Sequence, residues 1–152
     1  RPMLMEIQAL VCRSNFGMPR RTAAGLDYNR VNLLMAVLEK RGGLMVSGCD
    51  AYLNVIGGLY LAEPAADLAA VIAMASSFRD KPVPGSLAAI GEVGLTGELR
   101  SVSALSQRLS EVRRLGFTQC LIPARNNAKL AEPDGLQLIR VRNIREALRA
   151  VL

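Results

Sequence analysis

From Ala65 to Phe78 the chain is nearly all apolar, and the apolar residues are not confined to one stripe. Leu68, Val71, Ile72 and Ala75 fall on one face at helical spacing, while small alanines fill much of the rest. A helix without a polar face has to be covered on more than one side, so this segment predicts a central helix around which everything else is laid. The chain of 152 residues fits one domain. A domain of that size buries about 68 to 70 per cent of its unfolded surface, enough for a core with no disulfide or metal staple.

The flanking sequence supplies the covering elements. Met3 to Cys12 alternates loosely and predicts a first strand, and Arg13 to Gly25 reads as a polar loop. Within Asp27 to Arg41, Val31, Leu34, Met35 and Leu38 form the stripe of an amphipathic helix, with Asp27 as N-cap and Gly42-Gly43 as its stop. Leu44 to Ser47 and Ala51 to Ile56 read as two short strands around a turn at 48–50, with Gly57-Gly58 ending the second. Leu87 to Val93 predicts a strand, Gly94 to Arg100 a turn and short strand, and Ser103 to Leu115 a helix with Leu105, Leu109 and Val112 inward, ended by Gly116. Gln119 to Ile122 is a buried strand, Pro123 to Ala131 a loop with a helical turn, Leu136 to Val141 a last strand and Ile144 to Leu152 a final helix. Strand clusters alternating with helices imply an α/β fold, a sheet covered by helices.

Composition narrows the chemistry. There is no histidine, which excludes a Ser-His-Asp or Cys-His site, and no tryptophan, with only three Phe and three Tyr to stack on bases. Three widely spaced cysteines, Cys12, Cys49 and Cys120, argue against a disulfide framework or a zinc site and are expected to be buried free thiols of a reducing cytosol. No run approaches the ~20 apolar residues of a membrane span, and Arg1-Pro2 leads into a strand-like segment rather than a secretory signal, so the expectation is a cytoplasmic protein without a membrane partner. The glycines at 57, 58, 91, 94 and 97 lack the spacing of a nucleotide fingerprint and read as tight turns. Glu92 and Glu98, with no third ligand, read as structural hydrogen bonders, so no cofactor or metal is expected. A Ser-Lys hydrolase would have to use Lys40, Lys81 or Lys129. Ser77 and Lys81 share helical spacing, but they sit beside Pro82 at the end of the central helix, where a lysine favours the helix dipole.

The segment Gly91-Glu92-Val93-Gly94-Leu95-Thr96-Gly97-Glu98-Leu99-Arg100, followed by a helix and Leu121-Ile122-Pro123, resembles the core of the Lon protease catalytic domain. In that family the serine lies in a Gly-Pro-Ser-Ala-Gly motif at a helix start, and the matching run here is Glu63-Pro64-Ala65-Ala66-Asp67, with Ala65 at the serine position. Matching Leu105-Ser106-Gln107-Arg108 to the Lon Leu-Lys-Glu-Lys motif places Ser106 at the lysine position. The resemblance therefore implies a Lon proteolytic-domain fold, of the two-layer α+β type with a mixed sheet covered by helices, with both halves of its Ser-Lys dyad missing. Arg108 cannot replace the lysine, because guanidinium does not deprotonate. Asp67 would repel a developing oxyanion, whereas an acid in the first turn of a helix is favourable.

A second resemblance covers nearly the whole chain. The opening run Arg1 to Val11, Pro19-Arg20-Arg21, Gly25-Leu26-Asp27-Tyr28-Asn29-Arg30 and Asn54-Val55-Ile56-Gly57-Gly58 are similar to the C-terminal Lon-like domain of the bacterial RadA (Sms) DNA-repair ATPases. This implies that residues 1–152 are one domain of a larger protein whose zinc finger and RecA-like ATPase are absent here, the sequence having neither Cys-x-x-Cys nor a phosphate loop. ATP, Mg and Zn belong to those absent domains. The implied role is DNA recombination and repair by branch migration, driven by a DNA-dependent ATPase in a hexameric ring.

A formal charge of +6 suits a polyanion partner but is also met on ordinary solvated surfaces. With the resemblance, the predicted DNA-binding residues are Arg20, Arg21, Arg30, Lys40 and Arg41. Arg20-Arg21 leads because RadA-like sequences carry Pro-Arg-Arg there. Arg142, Arg145 and Arg149 form a separate basic stripe on the final helix. Each of these could equally serve a solvated face or a subunit salt bridge. Two rival readings are a Lon-type peptidase with a displaced nucleophile, Ser103 or Ser106, and a purely structural ring-forming module without DNA affinity.

Overall fold

A computed structural model describes residues 2–15 and 17–152. Arg1, which opens the second resemblance, lies outside them. Along the chain run β1 (Ile7–Arg13), β2 (Arg21–Ala24), α1 (Tyr28–Lys40), β3 (Cys49–Val55), a 3-10 turn (Pro64–Ala66), α2 (Asp67–Arg79), β4 (Leu87–Ala89), β5 (Glu92–Val93), β6 (Leu99–Arg100), α3 (Leu105–Arg114), β7 (Gln119–Pro123), β8 (Gln137–Val141) and α4 (Ile144–Val151).

The central helix is α2. Leu68, Ala70, Val71, Ile72, Met74 and Ala75 are all buried, so its apolar surface is covered on several sides, as its composition demands. Each fully buried large aliphatic contributes about 1.5–3 kcal/mol relative to exposure. One hydrophobic cluster joins α2 to α1, α4, the first sheet and, through Leu121 and Val141, one face of the second sheet, and a second cluster joins α3 to the second sheet through Leu105, Leu109, Val112, Cys120 and Ile122. Ala65, just before α2, belongs to the second cluster.

The strands resolve into two three-stranded sheets and a hairpin. The first has the order β1-β3-β2, with β1 antiparallel and β2 parallel to β3. The second, β4-β7-β8, is wholly parallel. β5 and β6 pair antiparallel as the hairpin. The architecture is thus a helix-covered α+β fold with mixed strand pairing.

Helix α1 forms as its stripe requires, with the Asp27 carboxylate accepting from the Arg30 amide at 3.0 Å and Val31, Leu34, Met35 and Leu38 buried. Gly43 follows with φ of +79°, a backbone that favours glycine. Four sequence expectations need correction. β1 begins at Ile7 rather than Met3, leaving residues 2–6 outside any strand. β2 lies inside the predicted polar loop, because its partner β3 is supplied from far along the chain. Leu44 to Ser47 is not a strand: Leu44 and Val46 are buried in alternation, but their amides donate to Leu38 and Leu44 carbonyls rather than to a ladder. The predicted strand from Leu87 to Val93 breaks at Gly91, whose amide donates to Ala65 O at 2.9 Å and whose carbonyl accepts from Leu68 N at 3.0 Å. Those two bonds tie the break to the start of α2.

The cysteines divide by burial. Cys49 and Cys120 are buried, and burial pushes the Cys120 thiol up to about 12. Cys12, on the alternating outer face of β1, is exposed, contrary to expectation. Ser77 and Lys81 form no dyad. The Ser77 hydroxyl accepts from the Val11 amide at 2.8 Å, tying β1 to α2, while exposed Lys81 reaches the Leu152 carbonyl at 3.4 Å.

Ser77→Ala leaves the half-buried Val11 amide without that acceptor. It should lower unfolding free energy by about 1–2 kcal/mol in urea titrations, with an unchanged m-value.

Candidate functional site

The 3-10 turn and the start of α2 form one wall of a cleft of about 100 Å³. Glu63, Ala65, Ala66 and Ala69 face Arg108, Glu111 and Val112 of α3, with Pro2 to Met5 along the rim. Ala65 is buried and offers only a methyl group to this wall. Across from it, the Arg108 guanidinium pairs with the Glu63 carboxylate and donates through Nε to Ser103 O at 2.9 Å. The helical repeat explains the choice of residue. With Leu105, Leu109 and Val112 buried, Arg108 lies on the cleft side, whereas Ser106 sits about 100° from Leu105 and is exposed. Ser106, matched in sequence to the Lon lysine, does not line this cleft.

Asp67, at the first turn of α2, is 4% exposed. Its carboxylate accepts from Arg30 Nε at 3.0 Å and from Arg30 Nη2, and also from the Val93 amide at 3.0 Å. Arg30 Nη2 further donates to Val93 O at 3.2 Å. One buried carboxylate therefore joins α1, α2 and β5. Its bond to Arg30 raises the guanidinium's already high pKa, against the opposing effect of burial.

The hairpin beyond β5 closes on its own acid. Glu98 accepts from Thr96 N at 3.1 Å and Thr96 Oγ1 at 2.7 Å, which hold its carboxyl below the usual range. A side chain at Gly94 would overlap that carboxylate, and at Gly97, with φ of +81°, a Cβ would come within 2.8 Å of Arg41 Cβ. Glu92 lies 3.9 Å from Arg100. Both acids have structural partners, as their lack of a third ligand suggested.

The five predicted DNA-binding residues differ in what they touch. Arg20 is exposed, with its amide donating to Asp50 Oδ1 at 2.7 Å. Arg21 donates to Asn32 Oδ1 at 3.1 Å and Ser47 O at 3.5 Å, neither of which neutralises its charge. Arg30 and Asn32 are about 200° apart on α1, so Arg30 points away from this group and into the Asp67 pair. Lys40 and Arg41 are exposed at the end of α1. Eleven residues after Arg30, Arg41 returns to nearly the same face about 16 Å further on, above the β5–β6 turn. There it meets a residue the sequence had set apart: Arg145 donates through Nε and Nη2 to Arg41 O at 3.3 and 3.2 Å. Arg142, by contrast, pairs with Glu146. Neither the Arg30–Asp67 pair nor the Arg41–Arg145 contact was foreseen. The available signal for the first was an acid in an otherwise apolar helix, which has to be met by a cation or by amides.

The 3-10 turn and the start of α2 thus lie between the Gly-Glu segment and α3. Residues 57–152 match the Lon protease (S16) C-terminal proteolytic domain, and the chain belongs to that family. Among individual proteins it is 56% identical over 152 residues to the DNA repair protein RadA of Bacillus subtilis (strain 168), covering 100% of this chain and 33% of that protein. It is also 50% identical over 152 residues to RadA of Listeria monocytogenes, with 100% and 33% covered. RadA of Streptococcus pneumoniae is 48% identical over 151 residues, with 99% and 36% covered. The chain thus spans about a third of the length of these curated relatives.

The buried carboxylate and the half-exposed guanidinium predict an asymmetric response to mutation. Asp67→Ala should cost about 2–4 kcal/mol, because Arg30, with 38% of its side chain exposed, can turn to water. Arg30→Ala should cost at least as much, since it strands the buried acid. Denaturant unfolding of both single variants and the double variant should then give strongly non-additive losses.

Proposed function

We propose that this chain is a Lon-like domain without peptidase activity, serving as an oligomerisation scaffold and a sequence-independent DNA-binding surface in a DNA repair protein of the RadA type. The observation that carries the reading is the cleft. A methyl group at Ala65 and the Glu63–Arg108 ion pair occupy the walls where a serine and a deprotonatable amine would have to meet. Arg108 is paired with Glu63, and Asp67 places a second carboxylate at the start of α2. Neither group helps to form or stabilise a tetrahedral oxyanion.

On this reading the activity of the whole protein lies outside the domain: a cytoplasmic DNA-dependent ATPase, with its ATP, Mg and Zn sites in other domains, acting in homologous recombination and branch migration. The domain's share is assembly into a six-membered ring and charge-based contact with DNA. Its basic excess, its lack of tryptophan and the absence of a recognition-helix motif suit contact with phosphates rather than bases. Exposed Arg20 and half-buried Arg21 supply the first contacts, together with Lys40 and Arg41. Arg30 serves the fold.

Two experiments test this reading. Serine-directed probes should leave the chain unlabelled, and Ala65→Ser should not restore labelling or peptide cleavage while Arg108 faces it. Stoichiometric modification of any serine, Ser103 and Ser106 included, would instead support the displaced-nucleophile rival. In DNA titrations, affinity should fall with salt at a slope of about 0.9 per phosphate contact in log–log form. Arg20→Ala with Arg21→Ala should flatten that slope by up to about 2 without changing sequence preference. No binding, with cyclic assembly seen by light scattering, would leave the domain as a scaffold only.

A further inference from the structure

At the end of α1 a small concavity of about 130 Å³ is lined by Arg41, Thr96, Gly97, Asn143, Ile144 and Arg145. We propose that it is a phosphate-binding site, built to hold one phosphodiester group of the DNA backbone. This inference rests on the DNA-binding reading above and gives it a specific seat.

The lining carries two guanidinium groups and no carboxylate. Arg145 uses two of its five N–H donors on Arg41 O, which fixes the side chain and leaves three donors unused. The Arg41 guanidinium has no acidic partner among the described residues, and its stem is held against the Gly97 turn, where even one added carbon would clash. Two arginines anchored through backbone and stem, with donors left over, are pre-organised for the bidentate geometry that phosphate oxygens favour. The nearby acids are committed elsewhere. Glu98 accepts from Thr96 and pairs with Arg100, while Glu146 pairs with Arg142 and caps the Arg142 amide.

Size and surroundings favour a phosphodiester. The concavity suits a single tetrahedral anion. Exposed Lys40 adjoins Arg41, and exposed Arg149 follows Arg145 by one helical turn, about 6 Å along α4. The positive charge therefore continues beyond the concavity as a stripe able to track a strand.

The test is a DNA titration of the 152-residue chain at several salt concentrations, with Arg41→Gln and Arg145→Gln combined so that the stems remain. Two lost contacts should flatten the log–log slope by about 1–2 and weaken all sequences alike. Arg145→Lys, which keeps the charge, should retain most of the slope and guards against a folding artefact. Backbone-amide NMR with a short oligonucleotide should shift Thr96, Gly97 and Arg145 first in the wild type, and inorganic phosphate should shift the same amides at higher concentration. An unchanged slope in a folded double variant that still binds DNA would overturn this site and leave the broader reading standing. A wild-type chain with no salt-dependent DNA affinity would overturn both.

Discussion

A single carboxylate in the first turn of the central helix determines how three parts of this domain meet. Asp67 is almost wholly buried, and such a group is stable only when its charge is met on several sides. Arg30 reaches it from α1 and the Val93 amide from β5. The consequence is positional. α1 is fixed against α2, and the hairpin is fixed against both, so the Gly97 turn arrives beside the end of α1.

The same carboxylate bears on the family to which the chain belongs. In a Lon-type domain the start of this helix is where acyl-transfer chemistry is expected, which calls for a nucleophile and for donors free to receive an oxyanion. Here the Val93 amide is engaged by Asp67, the Gly91 amide by Ala65 O, and the cleft wall by the Glu63–Arg108 pair. These bonds tie the start of α2 to the hairpin and to the cleft wall.

What was legible in the sequence follows from how far each determinant lies along the chain. The capped helix from Asp27, the inward face of α3 and the all-apolar central helix rest on local periodicity, and they form as read. β2, the missing strand at Leu44 to Ser47 and the break at Gly91 depend on which distant backbone groups are available for hydrogen bonding, and no local pattern carries that. The candidate site divides likewise. Ala65 and Asp67 could be singled out by position, but the Arg30 partner of Asp67 is 37 residues away and no local pattern linked the two. The Arg41–Arg145 contact spans 104 residues and joins two basic groups that had seemed independent.

The connectivity of the sheets also bears on how the domain assembles. Ile7 pairs with Val55, Leu87 with Gln119 and Gln119 with Gln137, each across an intervening helix or long loop. The β5–β6 hairpin alone closes a short loop, pairing Glu92 with Arg100. Loop-closure entropy is met before long-range contacts reward it, so such a topology folds slowly, with its helices and this hairpin formed ahead of the sheets. During that interval the Ile7, Leu53 and Ile122 segments remain open to wrong partners. A fold whose strands find one another only across the chain depends on helix α2, apolar on nearly every side, to gather them.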